Sequence, residues 1–597
     1  MQHFKLLAAL VCALPSTLAI WPQPASLSRG NGTVIIKTES FHFLAPPSLS
    51  ADLARAVQRT EAAIRRDKAY LLQVGHGSDR AHTIQNSPVL DTIQIQLVSG
   101  GSRHQARHPH MPRATGPSLR SEILQPVELH DESYEISLPS DGGAGTLTAS
   151  SALGILRGLS TIEQLFNDLP PDSTGPAALY AREFATRAVN MTAARTRFIQ
   201  GVPLQISDKP AFPWRGLILD TSRNFYSVPS IERTLNAMAL VKLNTFHWHM
   251  VDAQSFPLQL PGNLSVLAQK GAYSPAMSYS SDDVKHVVGY AADRGINVNI
   301  EIDMPGHNYA GLVDVRPDLV ECPNKPDWSN WANEPPSGQI SLKSPGAIPY
   351  AQELIAAVSA LFPSPYFSTG GDEVNLNCYG AKAASDIDAP LLKPFVQAAQ
   401  DAVVKAGKVP MVWEEMAINF PETGKALRNG TIVETWTSSA NVEAVLKSNP
   451  TVKIIHAPSD FFYLDCGAGA WLGNYPDGQS WCPFVTWQKG YQFDPYAGTQ
   501  NVTEGRKRVL GGEVALWSEQ SDETSLDGYL WPRAGSAAEV FWTGATFQMN
   551  GKSQARDVKE ALPRLHDLRF RLVDRGVAAR PLQPLWCALR PGQCNLS

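Results

Sequence analysis

Ser368-Thr369-Gly370-Gly371-Asp372-Glu373 follows an extended, aromatic-rich run at 362–367 and ends in two adjacent carboxylates. Glycines just ahead of an acidic pair let the backbone turn sharply and approach a ligand closely. Two carboxylates held together resist ionising at once, so one of them is pushed to a higher pKa. A general acid working near neutral or mildly acidic pH needs that property. A bare Asp-Glu pair is far more often a solvated surface loop; the company this one keeps changes the reading.

From Trp214 onward, short apolar stretches alternate with helical patterns, which argues for a parallel sheet. The spacing predicts strands over 216–220, 244–249, 297–303, 366–369, 409–413, 431–436, 453–456 and 511–517. Helices are predicted over 230–242, 281–294, 347–361 and 390–405, with Pro229 at an opening and Gly295 and Gly407 at two ends. Eight such units fit an α/β fold with a (β/α)8 TIM barrel better than an open sheet. Barrels of this kind carry their active sites at the C-terminal ends of the strands.

Those ends carry acids, His, Arg or Trp. The first strand leads to Asp220 and Arg223, the second to His247, His249 and Asp252, the third to Glu301, Asp303 and His307. The fourth ends at Asp372 and Glu373, the fifth at Trp413 and Glu414, the sixth at Glu434 and Trp436. Tyr463 and Asp465 follow the seventh, and Trp517 and Glu519 the eighth. Any one could be a core Trp or a loop acid, but recurrence at one end is hard to assign to packing. Acids with several Trp at a barrel mouth suit a carbohydrate: aromatic faces cover the apolar faces of a sugar while acids and Arg take its hydroxyls. No Gly-x-Gly-x-x-Gly or P-loop accompanies the carboxylates, so no nucleotide cofactor is expected. His247, His249 and His307 near Asp303 could hold a metal; core and supporting histidines are commoner in barrels, and no metal is expected.

At 597 residues the chain should hold more than one domain. A net charge of -5 without a large basic field argues against nucleic acid as a partner, and 14 Trp is a high count. Residues 1–19 combine Lys5, an apolar run and a small-residue end, the pattern of a secretory signal peptide cleaved before Ile20. No later apolar run reaches the roughly 20 residues of a membrane span. Asn31, Asn190, Asn263, Asn429, Asn501 and Asn595 each begin a glycosylation triplet. A secreted glycoprotein, free or cell-wall-associated, is therefore expected. Outside the leader lie Cys322, Cys378, Cys466, Cys482, Cys587 and Cys594. An even count in an oxidising compartment points to disulfides. Proximity favours Cys466–Cys482 and Cys587–Cys594, which leaves Cys322–Cys378.

Before the barrel, strands are predicted over 33–37, 92–98, 134–138 and 146–149 and helices over 51–74 and 151–165. These fit a small α+β domain over 20–185, followed by a catalytic domain over 186–560 and a terminal segment over 561–597. The Arg-, His- and Pro-rich stretch 100–116 reads as an exposed loop and a candidate processing site.

Several ordered motifs resemble glycoside hydrolase family 20, the β-N-acetylhexosaminidases. They are His247-Trp248-His249-Met250-Val251-Asp252, Asp303-Met304-Pro305-Gly306-His307, Gly370-Gly371-Asp372-Glu373, Gly511-Gly512-Glu513 through Trp517, and Leu530-Trp531-Pro532-Arg533-Ala534. The exported, sequon-rich form resembles the fungal branch. The resemblance implies exo-hydrolysis of terminal β-linked N-acetylglucosamine or N-acetylgalactosamine with retention, the nucleophile being the substrate's own acetamido oxygen. It implies that Glu373 is the general acid, that Asp372 orients the acetamido group, and that Tyr463 hydrogen-bonds its carbonyl. Arg223, Asp465 and Glu519 would bind sugar hydroxyls, Trp413, Trp436 and Trp517 would wall the pocket, and Asp252 with His307 would support the acid. Ala253 departs from the polar residue common after that Asp. The family also implies a homodimer and, in fungal members, a propeptide that stays associated after cleavage. Two other readings compete: a two-carboxylate retaining glycosidase with Glu301 or Glu414 as nucleophile, and a non-catalytic sugar-binding wall protein.

Overall fold

The computed structural model describes residues 18–67, 81–98, 117–168 and 196–596. The leader up to residue 17, the 100–116 loop, Asn190 and the expected domain boundary near 185 lie outside those residues. Seven strands precede the barrel: β1 (Ser26–Lys37), β2 (His42–Leu44), β3 (Thr92–Leu97), β4 (Tyr134–Leu138), β5 (Gly145–Ala149), β6 (Asn167–Asp168) and β7 (Thr196–Asp208). The barrel region comprises β8 (Trp214–Asp220), β9 (Thr245–Val251), β10 (Asn297–Ile302), a short antiparallel pair β11 (Val320–Glu321) and β12 (Gln339–Ile340), then β13 (Tyr366–Ser368), β14 (Val409–Trp413), β15 (Ile432–Thr435), β16 (Lys453–His456) and β17 (Val509–Leu516). Two further strands, β18 (Thr546–Met549) and β19 (Lys552–Ala555), follow it.

Leaving aside β11 and β12, strands β8 to β17 close a parallel barrel in chain order, with β17 returning to pair with β8. Each barrel strand expected from the sequence is present to within two residues at either end, whereas the strand expected over 33–37 starts earlier, at Ser26. Every residue of β8, β9 and β10 is buried, as parallel strands covered on both faces should be. Alternation along a strand sends neighbours to opposite faces. Phe246, Trp248 and Met250 accordingly join the apolar layer under the helices, while His247 and His249 meet carboxylates inside the barrel. The helix Val228–Leu240 opens with Pro229 in its first turn, and Ser281–Ala292 opens on a reciprocal Ser280–Asp283 capping box.

The N-terminal sheet runs β19-β18-β1-β7-β4-β5-β3-β2, with β6 paired to β7. Helices Ala51–Arg66 and Ala152–Leu165 pack on it, sharing one apolar cluster with its strands. β7 lies between β1 and β4, so this sheet extends past the position near 185 where the sequence pattern ended it. Leu204 and Ile206 alternate inward with exposed neighbours, but Gly201 in the left-handed region and Pro203 break the pattern that marks a strand. β18 and β19 return from beyond the barrel to complete the sheet. At the seam, Glu132 takes Arg157 at 2.7 Å and Arg215 at 2.7 Å, all three fully buried. The disulfides are Cys322–Cys378, Cys466–Cys482 and Cys587–Cys594, the pairs expected from proximity.

Candidate active site

The turn after β13 brings the acidic pair to the barrel mouth. Gly370 has φ +57°, and a Cβ there would sit 2.2 Å from Asp303 Oδ1; Gly371 has φ +102°, and a Cβ there would meet Met416 at 2.7 Å. Only glycine fits either position. The turn is pinned from β10's end, where Asp303 Oδ1 accepts from the Gly371 N–H at 2.7 Å. Glu373 is itself held at φ +54°, an uncommon conformation for a residue with a side chain.

His307, also left-handed at φ +54°, faces both acids. Its Nε2 lies 3.4 Å from Glu373 Oε2 and 3.7 Å from Asp372 Oδ2, and its Nδ1 lies 3.0 Å from Asp252 Oδ1. Asp252 Oδ2 takes His249 Nε2 at 3.0 Å and Arg223 at 2.8 Å. His249 Nδ1 meets Glu301 at 2.6 Å, and Glu301 also accepts from Ser368 at 2.5 Å and lies 3.3 Å from His247. His247 Nδ1 reaches Glu513 at 2.7 Å, and Glu513 accepts from Trp214 Nε1. The interior is thus a continuous chain of alternating carboxylates and imidazoles from the barrel core to Glu373.

Burial alone would strip these imidazoles of charge, but their carboxylates outweigh it. His247 is pushed up to about 10 by Glu513 and Glu301, His249 to about 9 by Asp252 and Glu301, and His307 well above its usual range by Asp252 and Asp372. The carboxylates around each ring thus favour its protonated form and engage these histidines as ion-pair partners. Burial raises the Asp372 carboxyl, against the pull of His307, and burial with repulsion from Asp372 raises Asp303 further. Glu373 differs from the expectation that the acid would be the raised partner. Burial pushes it up, but its hydrogen bond to His307, the charge of His307 and a bond from Asn333 outweigh that, leaving it below the usual carboxylate range. His307 pulls on both acids, yet Asp372 stays above its ordinary value while Glu373 falls below its own.

Glu373 and Asp372 open onto a cavity of about 620 Å³ that Arg223, His307, Tyr463, Asp465 and Glu519 also line. Trp436 and Trp517 form its walls. Trp436 lies parallel to Tyr463, with centroids 6.0 Å apart and planes at 9°, and its Nε1 donates to Glu415 at 2.9 Å. Trp517 meets Tyr463 at 6.1 Å. Trp413 is not on the cavity surface: it is 1 % exposed and stands beside Trp517, 6.2 Å between centroids, and His247. Tyr463 is positioned by a bridge to Ala515 and, one residue on, by the Leu464 N–H donating to the Ala515 carbonyl at 2.8 Å. Arg533 donates to the Leu464 carbonyl at 2.5 Å. Asp465 accepts from the Trp517 N–H, and burial raises its carboxyl to about 7.

Sequence reasoning missed Glu334 and Asn333. They sit on the irregular segment between β11 and β12, where no period marks them, yet Glu334 lies 3.3 Å from Arg223 and accepts from Gln254. Repulsion from Glu334, added to burial, raises Glu519 well above the carboxylate range. Glu415 was also missed. It directly follows Glu414, and burial with repulsion from Asp372 raises it to about 9. Among the described sequons, Asn31, Asn263, Asn429, Asn501 and Asn595 are all exposed.

Residues 212–545 match the glycosyl hydrolase family 20 catalytic domain, and residues 20–165 match a domain described as beta-acetyl hexosaminidase like. A beta-hexosaminidase of Arthroderma benhamiae is 35 % identical, the alignment covering 97 % of both chains. A chitooligosaccharidolytic beta-N-acetylglucosaminidase of Ostrinia furnacalis is 34 % identical over 78 % of this chain and 75 % of its own. A Streptomyces plicatus N-acetyl-beta-hexosaminidase structure shares the fold, with a TM-score of 0.67, 23 % identity, and coverage of 95 % of this chain and 97 % of that one. On the match across its barrel and the full-length likeness to the Arthroderma protein, the chain belongs to glycosyl hydrolase family 20.

Proposed function

We propose that this chain is an exo-acting β-N-acetylhexosaminidase, removing terminal non-reducing β-linked N-acetylglucosamine or N-acetylgalactosamine from chitin oligosaccharides and glycoconjugates with retention. The observation that carries the reading is that Asp372, Glu373 and Tyr463 line one cavity. The nucleophiles of the two-carboxylate alternative are engaged elsewhere. Glu301 is buried among His247, His249 and Ser368, and Glu414 accepts from Thr437 and Asn441; neither lines the cavity.

In the first step Glu373 gives its proton to the glycosidic oxygen as the C1–O bond breaks and the acetamido oxygen closes on C1. The product is a cyclic oxazolinium. Asp372 accepts the acetamido N–H and balances the positive charge, while the Tyr463 hydroxyl donates to the acetamido oxygen. Holding that internal nucleophile in place exploits proximity, an effect worth up to about 7–11 kcal/mol. In the second step Glu373, now a base, deprotonates a water that opens the ring at C1. Arg223, Asp465 and Glu519 take the hydroxyls of the terminal sugar, which makes the action exo. Trp436 and Trp517 cover the ring and acetamido faces, with Trp413 backing Trp517. The His307–Asp252 pair supplies the positive charge that holds Glu373 in place. Substrate entry strips water from Glu373 and raises its pKa, so the proton arrives with the sugar.

Turnover of a chromogenic N-acetylglucosaminide, with a thiazoline analogue of the oxazolinium as inhibitor, tests the reading. Hydrolysis with strong thiazoline inhibition is expected. Hydrolysis indifferent to the thiazoline would return the two-carboxylate mechanism, and sugar binding without turnover would favour a wall-binding protein.

Among the described residues no helix is long and apolar enough to cross a membrane. The leader pattern and the exposed sequons support secretion, and N-terminal sequencing of the exported protein should begin at Ile20. A chain cut within 101–116 would keep its N-terminal part, because β1 pairs with both β7 and β18. Sedimentation tests the homodimer that family membership implies.

A further inference from the structure

Two groups of aromatic rings line the cavity. The inner group surrounds Tyr463, where Trp436, Trp481 and Trp517 all stand within 6.4 Å of its ring. The outer group is a pair, Trp328 and Trp471, stacked with centroids 5.9 Å apart and planes at 30°. The two come from separate segments, each tied by a disulfide. Trp328 follows Cys322, which is bonded to Cys378, and Trp471 lies within the span closed by Cys466 and Cys482. Both segments are also ordered internally. The Trp331 and Ala332 N–H groups donate to the Trp328 carbonyl at 2.7 and 2.9 Å, and Asn377 donates to the Asn330 carbonyl at 2.8 Å. Across the other segment, the Ala470 N–H donates to the Gly478 carbonyl at 2.9 Å.

Trp471 is 37 % exposed and neighbouring Tyr475 49 %, so large apolar faces stand in water at the mouth of a polar pocket. Exposed aromatic surface grouped in this way marks a binding surface. A chain whose terminal sugar is seated against Glu373 must leave through the mouth that these rings border. We propose that the Trp328–Trp471 pair is a distal platform for a later N-acetylhexosamine ring of a β-linked oligosaccharide, giving the enzyme a preference for longer chains. The inference rests on the glycosidase reading above. The two stacked rings are carried on segments each tied by a disulfide before substrate arrives, so little ordering remains to be done on binding.

The test compares kcat/KM for chitotetraose with that for 4-nitrophenyl N-acetylglucosaminide, which carries no sugar ring beyond the first. In wild-type protein the tetrasaccharide should be favoured over chitobiose. Trp471→Ala and Trp328→Ala should each lower chitotetraose kcat/KM roughly three- to tenfold, the range one aromatic contact supplies, mostly through KM. The aryl substrate should change by less than about twofold in both. Trp471→Tyr, which keeps a ring, should restore most of the preference, and the double alanine variant should lose less than the product of the singles. An equal fall on both substrates would make the pair a structural brace and overturn the proposal. An unchanged tetrasaccharide-to-aryl ratio in every variant, or a wild-type enzyme that hydrolyses the aryl substrate without preferring longer chains, would overturn it as well. A wild-type protein that cleaves neither substrate would take down the glycosidase reading with it.

Discussion

Buried charge serves opposite ends at the sheet–barrel seam and at the barrel mouth. At the seam between sheet and barrel, Glu132 sits between Arg157 and Arg215. Burial would raise its carboxyl, but Arg215 and Arg157 outweigh that and hold it at about 2. One anion meets two permanent cations, which leaves no proton to move. At the barrel mouth imidazoles join Arg223 as the cations, and the carboxylates crowd one another. Asp303, Asp372 and Glu373 face a single His307, so protonation divides unevenly: Asp303 and Asp372 upward, Glu373 downward. Full compensation by arginine makes a strut, whereas sharing among titratable groups makes a site that can give and take a proton. Clusters of the second kind gather at functional sites.

The comparison breaks most visibly at Glu373. Glu373→Gln keeps shape and removes the transferable proton, so kcat on chitobiose should fall by about 10²–10⁴, with stability to urea unchanged. Near-wild-type turnover would take Glu373 out of the mechanism. The seam should answer in the other currency. Glu132→Gln leaves two buried guanidinium groups without their anion and should lower unfolding stability by about 3–5 kcal/mol, read from denaturant midpoints. Turnover per folded molecule should stay at the wild-type value; a large loss of kcat would mean that the two clusters are coupled.

Asp372→Asn separates charge stabilisation from pKa adjustment. The loss should be about 10²–10³ in kcat at every pH, the scale set by removing one preorganised stabilising group. Tyr463→Phe should lose much of kcat too, and the double variant less than the product, since both act on one acetamido group. Recovery of kcat in Asp372→Asn at a shifted optimum would reduce Asp372 to a modulator of Glu373. The smallest effect concerns pH. In the free enzyme Glu373 lies below its ordinary range, so its protonated fraction, and with it kcat/KM, should fall as pH rises through that low value. Bound sugar raises Glu373, so the alkaline limb of kcat should lie at higher pH than that of kcat/KM. Coincident limbs would show that substrate does not change the acid's environment.

The barrel was legible because strands covered on both faces leave near-continuous apolar runs, as at Gly216 to Asp220 and Val409 to Trp413. The site was legible wherever a residue sits at a strand end, since the fold then dictates where it points; Glu373, Tyr463 and Glu519 are of this kind. Glu334, Asn333, Trp328 and Trp471 were not, because they lie on irregular segments whose path is set by cross-links and single hydrogen bonds rather than by a period. β7 was hidden by Gly201 and Pro203, and its place in the sheet by partners β1 and β4 far away in sequence. The direction of the Glu373 shift could not be read either. Adjacency announces that two acids compete, while the fall of Glu373 rests on His307, brought in from β10's end.

The seating of Trp21 has a consequence for how the chain is made. Its indole N–H donates to the Gly535 carbonyl at 2.8 Å, across 514 residues, and the Ile20 carbonyl accepts from Arg564. β1 likewise takes one of its edges from β18. The first segment of the mature fold therefore has no complete binding surface until nearly the whole polypeptide has emerged. At about 5–20 residues per second, that wait is roughly half a minute to two minutes. During it the β1 edge at Ser26 and Leu27 and the ring of Trp21 lack the late segments that cover them. The last step of folding joins the two ends of the chain, so a nascent chain stopped before β18 should leave Trp21 accessible to solvent quenchers although the barrel's strands are all present.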